Sequence, residues 1–369
     1  MPTSAKDSSV AAQAGAPAVR ETRSHDITAH QRSIERRHRV VIAASALACA
    51  ILALVSLSCG ASNIGIVESA LGLVGVGSPQ DIAAVQSIRL PRILCAIVSG
   101  AGLALAGAAL QSVLENPLAS ASTVGISQGA AFGATAAILL VMPLFAGSAA
   151  AIGMGGVALC AFAGAMVSSG IVLLFSKLGG MRPESIILVG VALSALWAGA
   201  STIMQYFADE ISLTKVIFWQ FGDLGRATWM QIGLMTVVGA TCAAYFFVNR
   251  WNYNALQNGG EVAGGLGVDV ERVRVTGVAV ASLTAAVMVS FIGLVNFVGL
   301  IAPHIARRLV GSDYRYLLPA SLVFGSVIML GSDLAARMVI SPVILPIGAI
   351  TSFLGAPLFL YLLYRGYRR

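Results

Sequence analysis

The chain has 369 residues, of which 57% are hydrophobic and only 11% are charged, and its formal net charge is +7. Soluble domains carry about 25% charged residues, so this composition excludes an ordinary soluble protein. Open strands are excluded as well, because unpaired backbone groups are too costly in hydrocarbon, and repeated apolar runs of about 20 residues predict membrane-spanning helices.

The first 38 residues are rich in Ala, Ser, Arg and His and show no helical apolar stripe. This pattern predicts a disordered cytoplasmic tail over residues 1–38, followed by a transmembrane domain over residues 39–369. A secretory signal is not expected, since the first apolar run begins only near Val40. An organellar transit peptide is an alternative, although four acidic residues dilute the basic character of this stretch.

Ten apolar runs predict about ten transmembrane helices, so the expected fold class is an all-α integral membrane protein. The run at 61–77 contains Asn63, Glu68 and several glycines and serines. We interpret it as a connection that is partly embedded in the membrane, with a further span as the alternative. The predicted spans lie near 40–58, 92–112, 122–142, 150–175, 185–206, 229–248, 275–293, 295–310, 317–336 and 345–364.

The distribution of lysine and arginine predicts the orientation of these spans, because cytoplasmic loops carry an excess of both residues. With a cytoplasmic N-terminus, 18 of the 23 basic residues fall on the cytoplasmic side and five on the outer side. Both termini are therefore predicted to be cytoplasmic. The five outer residues are Arg89, Arg92, Lys215, Arg226 and Arg337.

The stretch Arg89-Leu90-Pro91-Arg92 places two cations where the topology rule disfavours them. One interpretation is structural: the arginines extend to the interface, and Pro91 begins a helix where its missing N–H costs nothing. The other is that an external partner with acidic groups requires them. Arg337, at the outer end of the ninth span, either joins the same rim or pairs with Asp333 one turn earlier.

The stretch "GAGLALAGAAL" repeats small residues every four positions, at Gly100, Ala104 and Ala108. Such a stripe lets helix backbones approach closely, so these residues predict tight packing between spans. Acidic residues are nearly absent from the middle of the spans, which disfavours an ion-coupled carrier.

The sequence predicts no catalytic residues and no metal site. The five cysteines are scattered singly, and His304 is the one histidine outside the tail. A phosphate-binding G-x-x-x-x-G-K-[ST] loop is missing, so ATP binding of that kind is not expected on this chain.

A third unusual stretch is the cytoplasmic segment 256–274, in which Gly259-Gly260 and Gly264-Gly265 flank a potential short helix. Short helices that lie across a membrane surface suit docking into the groove of a partner. An ordinary amphipathic loop is the alternative.

Taken together, these stretches resemble the permease subunits of type II ABC importers, the FecCD family, which carry iron–siderophores, haem and vitamin B12. The resemblance runs from about Ser87 to Tyr364. It is carried by "RLPRILCAIVSGAGLALAGAALQSVLENPLA" with "TVGISQGAAFGA", by "LVGVALSAL", by "EVAGGLGV", and by "FVGLIAPHIARRLVGSDYRYLLP" with "LPIGAITSFLGAPLFLYLL".

The resemblance implies a ten-helix subunit that pairs with a second permease subunit, either identical or a paralogue, in membrane lipid. It implies two ATPase subunits beneath, which would hold ATP and Mg, and a periplasmic or lipid-anchored substrate-binding protein above. No cofactor on this chain and no nucleic-acid partner are expected. The docking residues implied for the binding protein are Arg89, Arg92 and Arg337.

The resemblance also implies sites on the cytoplasmic side. The residues expected to contact the ATPase are Glu261, Ala263, Leu266, Gly267 and Val268. A possible gate lies at Pro183, Glu184 and Ser185, where the residues match the family poorly. Two further departures are Ile344, where the family commonly has a glutamate, and Tyr314, where it often has a histidine.

The predicted function is therefore that of a permease subunit of an ATP-driven importer in a bacterial inner membrane, without enzymatic activity of its own. The expected cargo is a chelated-metal nutrient, a ferric siderophore, with haem or a corrinoid as the alternative. Two other classes remain as alternatives. An ion-coupled secondary carrier would transport its substrate without ATP. A membrane scaffold without transport activity would show no nucleotide-dependent movement.

Overall fold

The computed structural model describes residues 16–59, 65–144, 153–180 and 182–367, and every regular element in these ranges is helical. The prediction of an all-helical integral membrane protein is confirmed. The α-helices are α1 Ala16–Ser58, α2 Ile66–Leu73, α3 Pro79–Ala84, α4 Leu90–Val113, α5 Ile126–Ala136, α6 Met142–Leu144, α7 Met154–Leu178, α8 Pro183–Tyr206, α9 Glu210–Phe221, α10 Trp229–Val248, α11 Arg250–Leu256, α12 Gly260–Gly265, α13 Val270–Ile292, α14 Val298–Val310, α15 Tyr314–Met338 and α16 Ile347–Tyr367.

Within the described ranges, two π turns and one 3-10 turn lie between these helices. The π turn Val85–Arg89 joins α3 to α4, and the π turn Ala137–Val141 joins α5 to α6. As a result, Pro79–Val113 and Ile126–Leu144 each form one continuous helical segment. The 3-10 turn Leu224–Arg226 lies between α9 and α10.

Eight helical segments within the described ranges are long and apolar enough to cross a membrane, and they coincide with eight of the ten predicted spans. The predicted span 295–310 coincides with α14, which has 13 residues. The predicted span 345–364 coincides with α16, whose apolar part Ile347–Tyr361 is also short. The eight segments are Gln31–Ser58, Pro79–Val113, Ile126–Leu144, Gly155–Leu178, Pro183–Tyr206, Trp229–Val248, Val270–Ile292 and Tyr314–Met338.

Two other expectations fall on the N-terminal part of the chain. The sequence predicts a disordered tail over 1–38, but residues 16–38 belong to helix α1. Residues 1–15 lie outside the described residues. An i,i+4 ion pair between Glu35 and Arg39 supports this exposed helical stretch. In the run 61–77, α2 has only eight residues, which is about 12 Å and too short to cross a membrane.

Helix α4 lies at the centre of the bundle, packed against α10, α13, α14 and α15. Small residues make this burial possible. Gly100 and Gly325 are reciprocal neighbours, since a Cβ added to either would overlap the carbonyl of the other. Ala104 packs on Gly325, and Ala108 is fully buried. The three residues of the predicted packing stripe thus lie on a face of α4 that is closed to solvent, as small-residue packing between membrane helices requires.

Candidate functional site

Four arginines and two aspartates meet at the end of the bundle predicted to face outward. We call this group the arginine cluster; its members are Arg89, Arg92, Arg226, Arg337, Asp223 and Asp333. Four of the five basic residues that the lysine and arginine counts placed outside are therefore close together in space, and the fifth, Lys215, lines a cavity with Arg226.

Asp333 is the centre of the cluster. Its side chain is fully buried, and its two oxygens accept hydrogen bonds from Arg92 Nε at 2.8 Å and from Arg337 Nε at 3.0 Å. A buried carboxylate requires compensating partners of this kind. The pairing of Asp333 with Arg337, one of the two alternatives from the sequence, is present in the structure.

Arg89 and Arg337 donate hydrogen bonds to backbone carbonyls at the C-terminal end of α1. The final carbonyls of a helix have no partner within the helix and need other donors. Arg89 Nη1 donates to the Leu57 carbonyl at 2.6 Å, and Arg337 Nη1 donates to the Cys59 carbonyl at 2.6 Å. Arg337 also donates to the Ser56 carbonyl at 3.3 Å. Only 6% of the Arg89 surface is exposed, so this residue is not part of an exposed rim.

Asp223 occupies the accessible side of the cluster. Gly222 has a φ of 75°, which turns the chain out of α9, and the Asp223 N–H donates to the Ile292 carbonyl at 2.8 Å. The Asp223 carboxylate lies 3.6 Å from Arg92 Nη1 and 3.8 Å from Arg226 Nε. These distances exceed those of charge-assisted hydrogen bonds, so the carboxylate is held more loosely than that of Asp333.

The opposite end of the bundle carries the segment 256–274, and the predicted short helix is present there as α12. Gly259 and Gly267 have φ values of 99° and 83°, a region that favours glycine. Glu261 and Leu266 are exposed, with 69% of the Leu266 surface accessible. These two side chains therefore offer a contact surface at this end.

Two of the five predicted coupling residues, Ala263 and Val268, are not exposed, and a third, Gly267, has no side chain to offer. Ala263 is fully buried, so its side chain cannot reach a partner. Val268 is half-buried and packs against the core. Gly267 is exposed, and its φ fits it for turning the chain after α12.

A polar junction ties this end to the transmembrane helices. Asp313 caps α15, and the Asn254 amide on α11 donates to its carboxylate at 3.0 Å. Burial alone would raise the pKa of Asp313, but hydrogen bonds from the Arg315 N–H, the Asn254 amide and the Arg315 guanidinium bring that pKa below its ordinary value of 3.8. Tyr314 Oη donates to the Ala108 carbonyl of α4 at 2.6 Å. Helices α11, α15 and α4 are thereby joined.

A second ion pair at the same end joins α4 to α13. Glu115, just after α4, pairs with Arg274 on α13, and both flank Gly260 at the start of α12. The predicted gate residues Pro183, Glu184 and Ser185 form the first turn of α8, with Glu184 exposed. Ser185 lies near Gly179 at the end of α7, so these residues border a helix–helix turn.

Several residues of these two ends were missed by the sequence analysis. Asp223 and Asn254 carry no local motif that would have marked them. Arg226 was counted as an outer cation but was given no role. One feature of the sequence could have identified Arg226: like Arg89 and Arg92, it is a basic residue on the predicted outer side, where the topology rule disfavours one.

Comparison with known proteins identifies the chain. The FecCD transport family matches residues 46–365. The chain belongs to the FecCD transport family. This FecCD protein is 48% identical over 300 residues to a candidate ABC transporter permease of Methanocaldococcus jannaschii, covering 80% of this chain and 86% of that one. It is 35% identical to the Fe(3+)-citrate import system permease of Bacillus subtilis, covering 89% and 96% of the two chains.

A solved structure has the same fold. It is described as an inward-facing conformation of a candidate metal-chelate type ABC transporter. The TM-score is 0.78 at 29% sequence identity, and the match covers 89% of this FecCD protein and 99% of that chain. The similarity extends over the whole bundle and confirms the predicted family and fold.

Proposed function

We propose that this FecCD protein is the permease subunit of an ATP-driven importer that moves a chelated metal across the inner (cytoplasmic) membrane, with a ferric siderophore or ferric citrate as cargo. The observation that carries the proposal is its 35% identity to a ferric-citrate import permease over nearly the full length of both chains. A hydroxamate import permease of Bacillus subtilis, 35% identical over 284 residues, supports the same cargo class.

Haem or vitamin B12 is the second candidate cargo. Permeases of a hemin system of Yersinia pestis and of a vitamin B12 system of Klebsiella pneumoniae are 32% and 36% identical to this chain, respectively. These identities are close to that of the ferric-citrate relative, and they support haem and corrinoids as the alternative cargoes.

The partners follow from the two polar ends of the bundle. The exposed Glu261 and Leu266 of the α12 region suit a groove on an ATPase subunit, which would hold ATP and Mg and supply the hydrolysis. The arginine cluster at the other end suits an acidic substrate-binding protein. A second permease subunit, identical or a paralogue, completes the proposed assembly.

Reconstitution in proteoliposomes with the neighbouring ATPase and substrate-binding protein tests this function. We expect uptake of radiolabelled ferric citrate or ferric hydroxamate that requires internal ATP, with haem and cobalamin as parallel substrates. Uptake that persists without ATP and follows an ion gradient would instead establish a secondary carrier. ATP hydrolysis without movement of any of these chelates would contradict the proposal.

A further inference from the structure

We propose that four arginines of α1 form a binding surface for the headgroups of anionic phospholipids. We call this group the α1 arginine face; its members are Arg32, Arg36, Arg37 and Arg39. They precede residue 46, where the match to the FecCD family begins, so they lie outside the region that the family model covers. The inference goes beyond the proposed function, since it requires only that the chain spans a membrane.

The apolar part of α1 faces away from the bundle. Only 17% of its most apolar 18-residue stretch is buried, against 67% for the corresponding stretch of α13. Its large exposed side chains fall within an arc of about 60° around the helix axis, at 100° per residue. A continuous apolar face of this kind requires an apolar neighbour, which a membrane supplies as acyl chains. These side chains are Val40, Leu47, Ile51 and Leu54.

The α1 arginine face continues this exposed face toward the N-terminus. All four arginines are exposed and lie on the same half of the helix as the apolar side chains. Glu35 and His38 lie on the other half, toward the bundle. The His38 ring packs against that of Tyr316 with centroids 5.0 Å apart, and Glu35 is close enough to Arg315 to interact with its charge. The cations are therefore separated by face from the one acid of this stretch.

The charge of this surface is available to a partner. Residues 31–39 contain four arginines and one glutamate, a formal excess of three positive charges. Glu35 lies 3.4 Å from Arg39, whose side chain is still 73% exposed. Among the side chains that the structure describes, the other three arginines have no ion-pair partner. Each such cation near an anionic membrane surface strengthens association about fivefold.

The position of the α1 arginine face along the helix matches the level of the headgroups. From Val40 to the end of α1 the helix rises about 27 Å, close to the hydrocarbon thickness of about 30 Å. Arg39 then lies at the boundary of the hydrocarbon, and Arg32 lies about 10 Å farther along the axis. The long arginine side chains cover this interval and reach the phosphate groups.

A tryptophan at the same end supports this level. Trp251 is 59% exposed, and the Arg315 guanidinium carbon lies 5.6 Å from the centre of its ring. Exposed tryptophans are enriched where a membrane meets water. Arg315 also lies beside Tyr316, the residue that His38 contacts, so the tryptophan marks the interface near the start of the apolar part of α1.

A phospholipid satisfies both parts of this face of α1. Its phosphate accepts charge-assisted hydrogen bonds from guanidinium groups, and its acyl chains cover the apolar side chains that follow. An acidic groove on a protein partner would match the arginines alone, and so would a soluble phosphate ion. The charge further predicts selectivity, because phosphatidylglycerol carries a net negative charge whereas phosphatidylcholine is neutral overall.

The test uses the purified full-length chain in a neutral detergent, titrated with dioleoylphosphatidylglycerol or dioleoylphosphatidylcholine, which share their acyl chains. A lipid that binds the folded state raises the melting temperature. We expect the same rise to require about tenfold more phosphatidylcholine than phosphatidylglycerol. Arg32→Gln combined with Arg36→Gln should raise the required phosphatidylglycerol about five- to twentyfold. Arg37 and Arg39 are kept in this variant because basic residues next to a span help to set its orientation.

Two matched variants and salt serve as controls. Arg272→Gln removes an exposed cation at the same end, on the largely buried α13, and should change the phosphatidylglycerol requirement less than twofold. Glu35→Gln removes the one acid of the stretch and should lower that requirement. Salt at 1 M shortens the screening length from about 10 Å at 0.1 M to about 3 Å, so it should abolish the preference for phosphatidylglycerol.

Four results would overturn the proposal. Equal requirements for the two lipids would remove the role of charge, and equal effects of Arg272→Gln and the double variant would remove the role of this face. Sodium phosphate that reproduces the rise would assign the arginines to a soluble anion. A double variant that keeps the lipid preference but no longer co-purifies with the ATPase would assign them to that subunit. If the double variant is unstable without lipid, Glu35→Gln decides: an unchanged requirement rejects the proposal.

Discussion

The carboxylate of Asp333 on α15 accepts a 2.8 Å hydrogen bond from Arg92 Nε on α4, across 241 positions of sequence. The same carboxylate accepts a bond from Arg337 one turn later. One buried acid therefore fixes two cations and joins the outer ends of two central helices. Arg337 extends the connection to the end of α1.

Asp333→Asn should be among the most destabilising single changes at this end of the protein. It removes the charge that compensates two arginines, and breaking a buried ion pair from one side typically costs about 3–5 kcal/mol. Thermal unfolding in nanodiscs measures the loss. Asp223→Asn is the matched control and should cost under about 1 kcal/mol, since its carboxylate is partly exposed. Equal losses for the two variants would contradict the central role of Asp333.

The close contact between α4 and α14 predicts that alanine substitution will cost much more stability at one glycine than at another. A Cβ at Gly107 would overlap the backbone of Gly299, whereas a Cβ at Gly170 on α7 meets nothing within 4 Å. Gly107→Ala should therefore cost about 1–3 kcal/mol or more through overpacking. Gly170→Ala should be neutral or slightly stabilising. A comparable drop in melting temperature for both variants would disprove the packing argument.

The exposed face of the α12 region predicts that coupling and stability can be separated. Leu266→Ala removes an exposed side chain, so it should leave the melting temperature nearly unchanged while it weakens ATP-driven transport. Ala263→Leu adds volume at a fully buried position and should cost about 1–3 kcal/mol of folding free energy. Full coupled transport by Leu266→Ala would exclude this side chain from the ATPase contact.

Two stacked tyrosines provide a matched pair of variants. The rings of Tyr253 and Tyr314 lie 5.4 Å apart. Tyr314 Oη donates to the Ala108 carbonyl, whereas the Tyr253 hydroxyl, among the residues that the structure describes, has only the neighbouring Tyr245 side chain as a weak partner. Tyr314→Phe should cost about 1 kcal/mol, and Tyr253→Phe should be neutral or stabilising. The reverse order in a thermal-unfolding assay would refute this assignment.

The lowered pKa of Asp313 predicts a pH-dependent contribution to stability. Hydrogen bonds favour its charged form in the folded state, so the contribution is fully present above the unfolded pKa of about 3.9. It is lost as the pH falls through the lowered folded pKa. Asp313→Ala should cost about 1–2 kcal/mol at neutral pH, and its deficit relative to wild type should shrink in acid. A deficit that is constant with pH would count against this linkage.

The sequence was sufficient for the positions of eight spans, because burial in lipid requires long apolar runs that can be read directly. It also offered the Asp333–Arg337 pair as one of two alternatives, since i and i+4 are neighbours on any helix. It could not provide the Arg92–Asp333 bond, which depends on how α4 packs against α15. The same limit explains Arg89, whose burial depends on where α1 ends.

The segment 256–274 also divides into what the sequence predicted and what only packing decides. Its glycines indicated a short helix between two breaks, and α12 lies there. Which side chains of this helix face outward depends on its packing against neighbouring elements. The sequence alone therefore grouped the buried Ala263 with the exposed Leu266.

Helix α15 begins with Tyr314 at the polar junction with α11 and carries Asp333 at the arginine cluster, a separation of about 29 Å along its axis. Helix α15 therefore connects the two polar ends of the bundle directly. A tilt or axial rotation imposed on α15 from below would displace the anchor of Arg92 and the tip of α1 in the same movement, without a relay of intervening side chains.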